Sequence, residues 1–347
     1  GLVFTPVKGK IRFGLGGIKG VGEGGASKVL EERKSNGNFK NFSDFVKRLD
    51  SKAVNKRVVE GLVKAGAFDS CGDERAYLIA NFEELLKSQS KSDNRQASLF
   101  DMFEMEAPQS GEGNGSGGVE PLPFQTKLQY ERELLGFYVS GHPLDEYTPL
   151  CEAIDTTADL RTLEDKKYFR ICGVVSEIVK KFSKKDNQPW ALFKFSNKHM
   201  AYEMSLFSTS YAEYGSLLTE GAVVIAVGQA RHQNGDIRFS IEQLKPLESN
   251  AASLTQKLTF ILECAHPGTL EWLKSLKAEL LQSGNGNTQV QLLCTKESQK
   301  GVLSNLPESL RWKINVRVLR KLLSHPCVAG ARATATTFTP PEKKWGN

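Results

Sequence analysis

Between residues 88 and 122 the hydrophobic pattern of this 347-residue chain stops, and where it resumes it has changed period. Apolar residues fall at helical spacing up to residue 87, and from about residue 166 they alternate one in two, as half-buried strands do. The stretch between includes "PQSGEGNGSGGVEP", too poor in apolar side chains to offset its own conformational entropy by burial. One continuous core cannot span such a break. The chain is therefore read as multidomain α+β: an all-helical part, a flexible linker and a strand-rich part.

In the helical part, residues 1–87, "VGEGGASKVLEER" places Ala26, Val29, Leu30 and Arg33 at helical spacing. Ser43 is the expected N-cap of "SDFVKRLD", and Asp73 that of "ERAYLIANFEELLK". Asn55 should cap "KRVVEGLVKAGAF", where Val58, Val59, Leu62 and Val63 form one face and Gly66 stops the helix. That stripe reads as core, and the segment as the second half of a paired helix-hairpin-helix unit. Residues 123–165, with "FQTKLQYERELLGFYVSGHPLDEY", read as a helical linker.

Alternation then runs through "FRICGVVSEIVKKF", "PWALFKFSN", "MAYEMSLF" and "GAVVIAVGQARHQNGDIRFSIEQLKPL", with helix-like "STSYAEYGSLL" before the last. Short strands at this spacing predict a small closed barrel of five strands over 166–249. Strand-, helix-, strand- and helix-like runs over 250–330 predict a small α+β domain. The tail, 331–347, lacks an apolar period and is expected to be disordered.

Chemistry is bounded mainly by what is missing. Six scattered cysteines make no CxxC pair and have no histidine at ligand spacing, so free thiols are expected rather than zinc. No P-loop, paired-carboxylate metal motif or Ser/His/Asp set is recognisable, and His142, followed by proline, reads as a turn residue. The sequence thus predicts a binding module, with no catalytic residue and no cofactor of its own. No apolar run is long enough to cross a membrane, and "GLVFTPVKGK" is neither a signal peptide nor an initiating Met, so a cytoplasmic protein and an excised fragment are expected. The net charge of +6 favours an anionic partner only weakly; where the cations lie matters more.

They cluster beside two telling stretches. In "GLGGIKGVGEGGASKVLEER", Gly20, Val21 and Gly22 form an apolar-Gly-x-Gly turn between helical segments, which can bring backbone N–H groups and a helix N-terminus to a phosphate. Lys19 and Lys28 would add charge-assisted contacts. The competing reading is glycines that merely let helices pack closely; a dinucleotide loop is disfavoured, since no βαβ unit surrounds the turn. On the barrel, Lys180, Lys181, Lys184 and Lys185 flank the first hairpin turn, and Trp190 and Lys194 share the outward face of the next strand. These suit a single-stranded backbone, with Arg231 and Arg238 on a later hairpin as further contacts. The plain alternatives are a solvated turn and a Trp190 that packs rather than stacks.

One apolar cluster sits where nothing else should be buried. "RQASLFDMFEME" puts Leu99, Phe100, Met102 and Phe103 inside the polar stretch, which reads as a docking peptide. Gln96 would bond at a pocket rim while Leu99 and Phe100 enter an apolar groove, giving roughly 3 to 6 kcal/mol before ordering costs.

Taken in order, these stretches resemble the C-terminal portion of the alpha subunit of bacterial DNA polymerase III. "GLGGIKGVGEG" and "NKRVVEGLVKAGAFD" are similar to that family's tandem helix-hairpin-helix region, "QASLFDMF" to its sliding-clamp-binding motif, and "YERELLGFYVSGHPLDEY" to its distinctive linker to an OB domain. The resemblance implies a clamp-binding peptide at 96–100 within the 88–122 linker, an OB fold for 166–249 and a domain similar to the tau-binding unit of the family at 250–330. It also implies double- and single-stranded DNA, the sliding clamp, the clamp-loader tau subunit and other polymerase III holoenzyme subunits as partners. The family's palm, with Mg²⁺ held by aspartates, has no counterpart here, so DNA synthesis would belong to the parent chain. The alternative is a nucleic-acid-binding accessory protein of repair or recombination, which also combines hairpins with a barrel.

Overall fold

The computed structural model describes residues 1–7, 9–49, 54–90, 119–284, 286–295 and 301–341, and folds into two compact units, Gly1–His142 and Pro143–Asn347. The clamp-peptide residues Gln96, Leu99 and Phe100 lie outside the described residues.

The first unit opens with a small antiparallel hairpin, β1 (Thr5–Val7) and β2 (Lys10–Arg12), whose three-residue strands are too short to show a period. Helices α1 (Gly22–Asn36), α2 (Phe42–Arg48), α3 (Lys56–Lys64), α4 (Arg75–Ser90) and α5 (Phe124–Leu135) follow. Ala26, Val29, Phe42, Phe45, Val59, Leu62, Phe68, Leu78 and Phe82 are among the side chains that build their common core. Asn55 caps α3 by accepting the Val58 N–H at 3.1 Å. Gly66, at φ +80°, closes the other end, with Ala67 N–H on the Leu62 carbonyl and Gly66 N–H on Val63, a double closure that needs a left-handed residue there.

Two expected caps are placed differently. Asn41, not Ser43, caps α2, accepting the Asp44 N–H at 2.8 Å. Ser43 Oγ is buried and, among the described residues, has no hydrogen-bond partner. Asp73 accepts the N–H of Phe42 at 2.7 Å and so ties the approach to α4 onto the first turn of α2.

Helix α5, expected as a linker, is part of this first unit and packs on α3. Its fixing point is Glu131, fully buried. That carboxylate accepts from Arg75 Nη1 (3.1 Å), from the backbone N–H of Val139 (2.7 Å) and Ser140 (2.8 Å), and from the Ser140 hydroxyl. Arg75 in turn donates to Asp69 from Nε at 3.0 Å. A buried charge is tolerable only when so fully partnered, which explains why "ERELLGFYVSG" must be read as one piece. Burial raises the Glu131 pKa, but the Ser140 hydroxyl, the two amides and Arg75 together outweigh it and hold the carboxyl below its usual value.

The second unit begins with α6 (Thr148–Ile154) and then β3 (Tyr168–Phe182), β4 (Pro189–Ser196), β5 (Ala201–Leu206), α7 (Ser208–Tyr214), β6 (Val223–Gln233) and β7 (Asp236–Pro246). The five strands close in the order β3-β4-β5-β7-β6, with β6 pairing back to β3. Only β5 and β7 run parallel, and a helix links the third and fourth strands, which is the OB arrangement. Phe169, Ile171, Phe193, Phe195, Met204 and Phe239 point inward, as the alternation requires.

Helix α8 (Leu247–Leu254) leads directly into β8 (Thr255–Glu263). Then come α9 (Thr269–Gln282), β9 (Gln289–Thr295), β10 (Val302–Asn305), α10 (Val316–Leu323) and β11 (Val328–Ala335), giving a sheet ordered β10-β9-β8-β11. The expectation of a disordered tail from 331 is corrected: residues 331–335 continue β11, antiparallel to β8, and Thr336 N–H donates to Leu254 O at 2.7 Å. Backbone pairing to an existing strand, not side-chain period, recruits "VAGARATA".

Barrel and sheet are joined through one core. Cys172, Val174 and Ile225 on the barrel's outer face pack in the same cluster as Leu150 and Ile154 of α6, Leu247 and Ala251 of α8, and Phe260, Trp272 and Trp312 of the sheet layer. Arg170 of β3 donates to Ile154 O (2.8 Å) and to Thr336 O (3.2 Å), and lies over the Phe338 ring. The boundary expected at 249/250 therefore falls inside α8 rather than in a linker.

Candidate nucleic-acid interface

In the first unit the Gly20–Gly22 turn delivers the chain into α1. Gly20 and Gly22 are exposed at φ +90° and +67°, while Val21 between them is buried against the core and fixes the turn. Val21 thus anchors the turn from within; its side chain is not on the surface expected to follow phosphates. Lys19 N–H donates to Leu134 O (2.9 Å) and Val21 N–H to Ile18 O (3.1 Å), which holds the turn against α5 and the preceding 3-10 helix. The N-terminus of α1 carries no side-chain cap, so its first-turn amides and the positive end of its dipole are turned to the surface.

Lys19 and Lys28 are exposed on either side of this terminus. The sequence reading missed Arg57. It lies in the first turn of α3, exposed, with its Nε 3.5 Å from where a Cβ on Gly20 would stand. Lys19, Gly20, Arg57, Lys64 and Tyr130 are among the residues lining a shallow cleft of about 310 Å³ at this turn. Lys64 is paired with Glu60 at 2.7 Å, so Lys19, Lys28 and Arg57 are the better candidates for an anion.

In the second unit, β3 and β4 extend past the closed part of the barrel as an arm. A bulge between Ser176 and Val179, with Glu177 at φ +50°, bends the strand there. Beyond it Lys180, Lys181, Lys184 and Lys185 are all exposed, and so are Val179 (51%) and Phe182 (65%). Trp190 stands opposite Lys181 in the register, with the ammonium 5.5 Å from its ring centre, and stacks on Phe207 at 5.6 Å between centroids and 28° between planes. Phe207 is itself half exposed (52%) and was not foreseen: it closes the run "MAYEMSLF" one residue past the end of β5, and alternation alone does not bring it to Trp190.

Other expected contacts are less available or sit elsewhere. Lys194 pairs with Glu177 at 2.7 Å. Arg231 and Arg238 face each other across the β6–β7 ladder, near the two-residue turn in which Asn234 and Gly235 take φ of +52° and +84°. His232, on the same hairpin, donates its backbone N–H to the Asp165 carboxylate (2.9 Å) and has its ring on Leu163 O (2.8 Å). Among the described residues no group of three or more His, Cys, Asp or Glu is arranged to hold a metal ion.

These observations define the chain's class: a helix-hairpin-helix unit followed by a five-stranded OB barrel fused to an α/β sheet. Residues 2–78 match the helix-hairpin-helix motif family. The chain is similar to part of the DNA polymerase III alpha subunit: 37% identical to that of Thermus aquaticus over 66% of this chain, 32% to that of Borreliella burgdorferi over 69%, and 29% to that of Mycobacterium tuberculosis over 90%. The matched segment makes up 19%, 21% and 27% of those three proteins, so the chain spans between about a fifth and a quarter of their length. The resemblance drawn from the sequence therefore holds. Among solved structures, the single-stranded DNA binding protein Rim1 of S. cerevisiae mitochondria aligns with 24% of this chain and 97% of its own at 16% identity, with a TM-score of 0.21, too low to bear on function.

Proposed function

We propose that this chain is the DNA-holding and clamp-tethering segment of a replicative DNA polymerase. What carries the reading is the presence in one chain of two separate anion-receptive surfaces: an uncapped helix terminus ringed by Lys19, Lys28 and Arg57, and a lysine-rich arm bearing the Trp190–Phe207 stack. The first suits a duplex backbone, where amides and lysines grip phosphates without reading bases. The second suits single strand, where aromatic faces take bases and cations track the backbone. The similarity to DNA polymerase III alpha subunits supports a DNA-holding role. In the parent enzyme, two Mg²⁺ ions held outside this chain would align the primer hydroxyl and the incoming nucleotide, with tau and the other holoenzyme subunits as further partners in the cytoplasm.

Binding to labelled duplex and single-stranded oligonucleotides across a salt series tests the DNA reading. Wild-type affinity should fall log-linearly with salt, and a Lys19→Ala, Lys28→Ala, Arg57→Ala variant should bind duplex more weakly and flatten the slope by about 0.9 for each phosphate that is no longer neutralised. A Trp190→Ala, Phe207→Ala variant should lose single-strand affinity by about 1–3 kcal/mol per base unstacked and leave duplex binding intact. Salt-independent binding, or variants that match wild type, would sink the proposal.

The peptide at 96–100 is the proposed hook for the sliding clamp. Wild-type chain should bind the purified clamp of the same organism with modest, reversible affinity, and a Gln96→Ala, Leu99→Ala, Phe100→Ala variant should not. Equal binding by both would remove the hook and leave a DNA-binding segment without a tether.

A further inference from the structure

The β3–β4 arm presents an aromatic ring and an ammonium on each of its two faces, and one single strand can use only one face. Cross-strand partners share a face, and the ladder pairs Val179 with Leu192, Lys180 with Ala191, Lys181 with Trp190 and Phe182 with Pro189. Lys181 and Trp190 therefore stand on the face that continues the outside of the barrel, where Trp190 stacks on Phe207. Lys180 and Phe182 stand on the other, in line with Ala191 and Phe193, which point into the barrel core. Past the barrel's rim this inner face is open, and the Phe182 ring is 65% exposed. The tip beyond it is firmly closed: Ser183 N–H donates to Gln188 O (2.9 Å), Asn187 N–H donates to Ser183 O (3.0 Å), and Asn187 takes a left-handed φ of +52°. Lys184 and Lys185 lie in that turn, and Asp186 is the one carboxylate between residues 178 and 191.

We propose that the arm is a wedge for forked DNA, seated between two strands where they part from a duplex. One strand runs along Lys181, Trp190 and Phe207 and the other along Lys180 and Phe182, each with a ring for a base and an ammonium for a phosphate. The proposal rests on the reading of this arm as a single-strand surface and adds the second strand. A lone exposed phenylalanine needs no explanation. Here, however, Phe182 is paired with a cation on the face that a strand stacked on Trp190 cannot reach, and the arm's positive charge matches a polyanion on both sides. Charge complementarity also sets the direction of the wedge. A duplex carries a phosphate charge about every 1.7 Å of its axis against about 3.4 Å for one strand, so the turn with Lys184 and Lys185 belongs at the junction, where the charge is densest. The bulge between Ser176 and Val179 bends the arm away from the closed barrel and leaves room for a strand on either side.

The test compares binding of the full chain to a duplex with two unpaired arms and to the same duplex with one arm, at one salt concentration. Duplex contacts made elsewhere in the chain are common to both DNAs and cancel in the ratio of their dissociation constants. Wild type should hold the two-armed fork about tenfold more tightly, the gain of one further stacked base. Phe182→Ala should bring the two affinities together, and Phe182→Trp should keep them apart. A readout independent of affinity comes from p-benzoylphenylalanine installed at position 182 or at position 190, which should cross-link to opposite arms of the fork. Equal affinity of wild type for the two DNAs, a Phe182→Ala protein with the wild-type ratio, or cross-links from both positions to the same arm would each overturn the wedge and leave the single-strand reading standing. That reading fails instead, and the wedge with it, if adding even the first arm to a blunt duplex brings no gain in affinity.

Discussion

Glu131→Ala is expected to destabilise the first unit by about 3–5 kcal/mol, enough to unfold a marginal domain at 37 °C. The change removes a fully buried carboxylate and leaves buried Arg75 with Asp69 and the Lys64 carbonyl, while the Val139 and Ser140 amides lose their acceptor. The effect should depend on pH in one direction. Because the folded state holds the Glu131 carboxyl below its usual value, its contribution is complete above the unfolded pKa and disappears as pH falls through the folded one. Urea unfolding at neutral pH and at pH 3 should therefore show a large gap between wild type and variant at the first and a smaller gap at the second. A variant within 1 kcal/mol of wild type at pH 7 would show that the network of Arg75, Glu131 and Ser140 does not hold α5 in place.

Ending the chain at Cys327 is expected to abolish cooperative folding of the second unit, barrel included. The deletion strips β8 of its antiparallel partner and takes from Arg170 both the Thr336 carbonyl and the Phe338 ring. It also exposes α6, which packs on β11 and whose Leu150 and Ile154 lie in the core shared with the barrel. The loss should be comparable with the whole stability of a domain, roughly 5–15 kcal/mol. Thermal melting followed by near-ultraviolet circular dichroism, which reports Trp190 of the barrel as well as Trp272 and Trp312 of the sheet, gives the answer. A truncated protein that keeps a sharp barrel transition would mean that the shared core is incidental.

Legibility from sequence followed the range of the interactions. Asn55 and Gly66 were readable because each acts within its own helix, through hydrogen bonds that span only three to five residues. Asp73 was misread because its side chain reaches a helix 31 residues upstream, which no local propensity encodes. The barrel strands announced themselves by alternation, whereas "VAGARATA" has almost no apolar amplitude and becomes a strand only because β8 offers an edge. At the candidate interface the lysines were visible as runs, but Arg57 and Phe207 were not. Each is a single residue on another element, brought to Gly20 or to Trp190 by tertiary packing. Val21 erred the other way: placed in the turn by sequence, it belongs to the core by geometry.

The docking of α5 onto α3 has a topological corollary. Arg75 of α4 and Glu131 of α5 meet although 56 positions separate them in the chain, so the pair closes a long loop. The entropy of closing such a loop grows only with the logarithm of its length. Adding or removing a few residues between α4 and α5 should therefore shift the stability of the first unit by only tenths of a kcal/mol, whereas loss of either charged partner costs several.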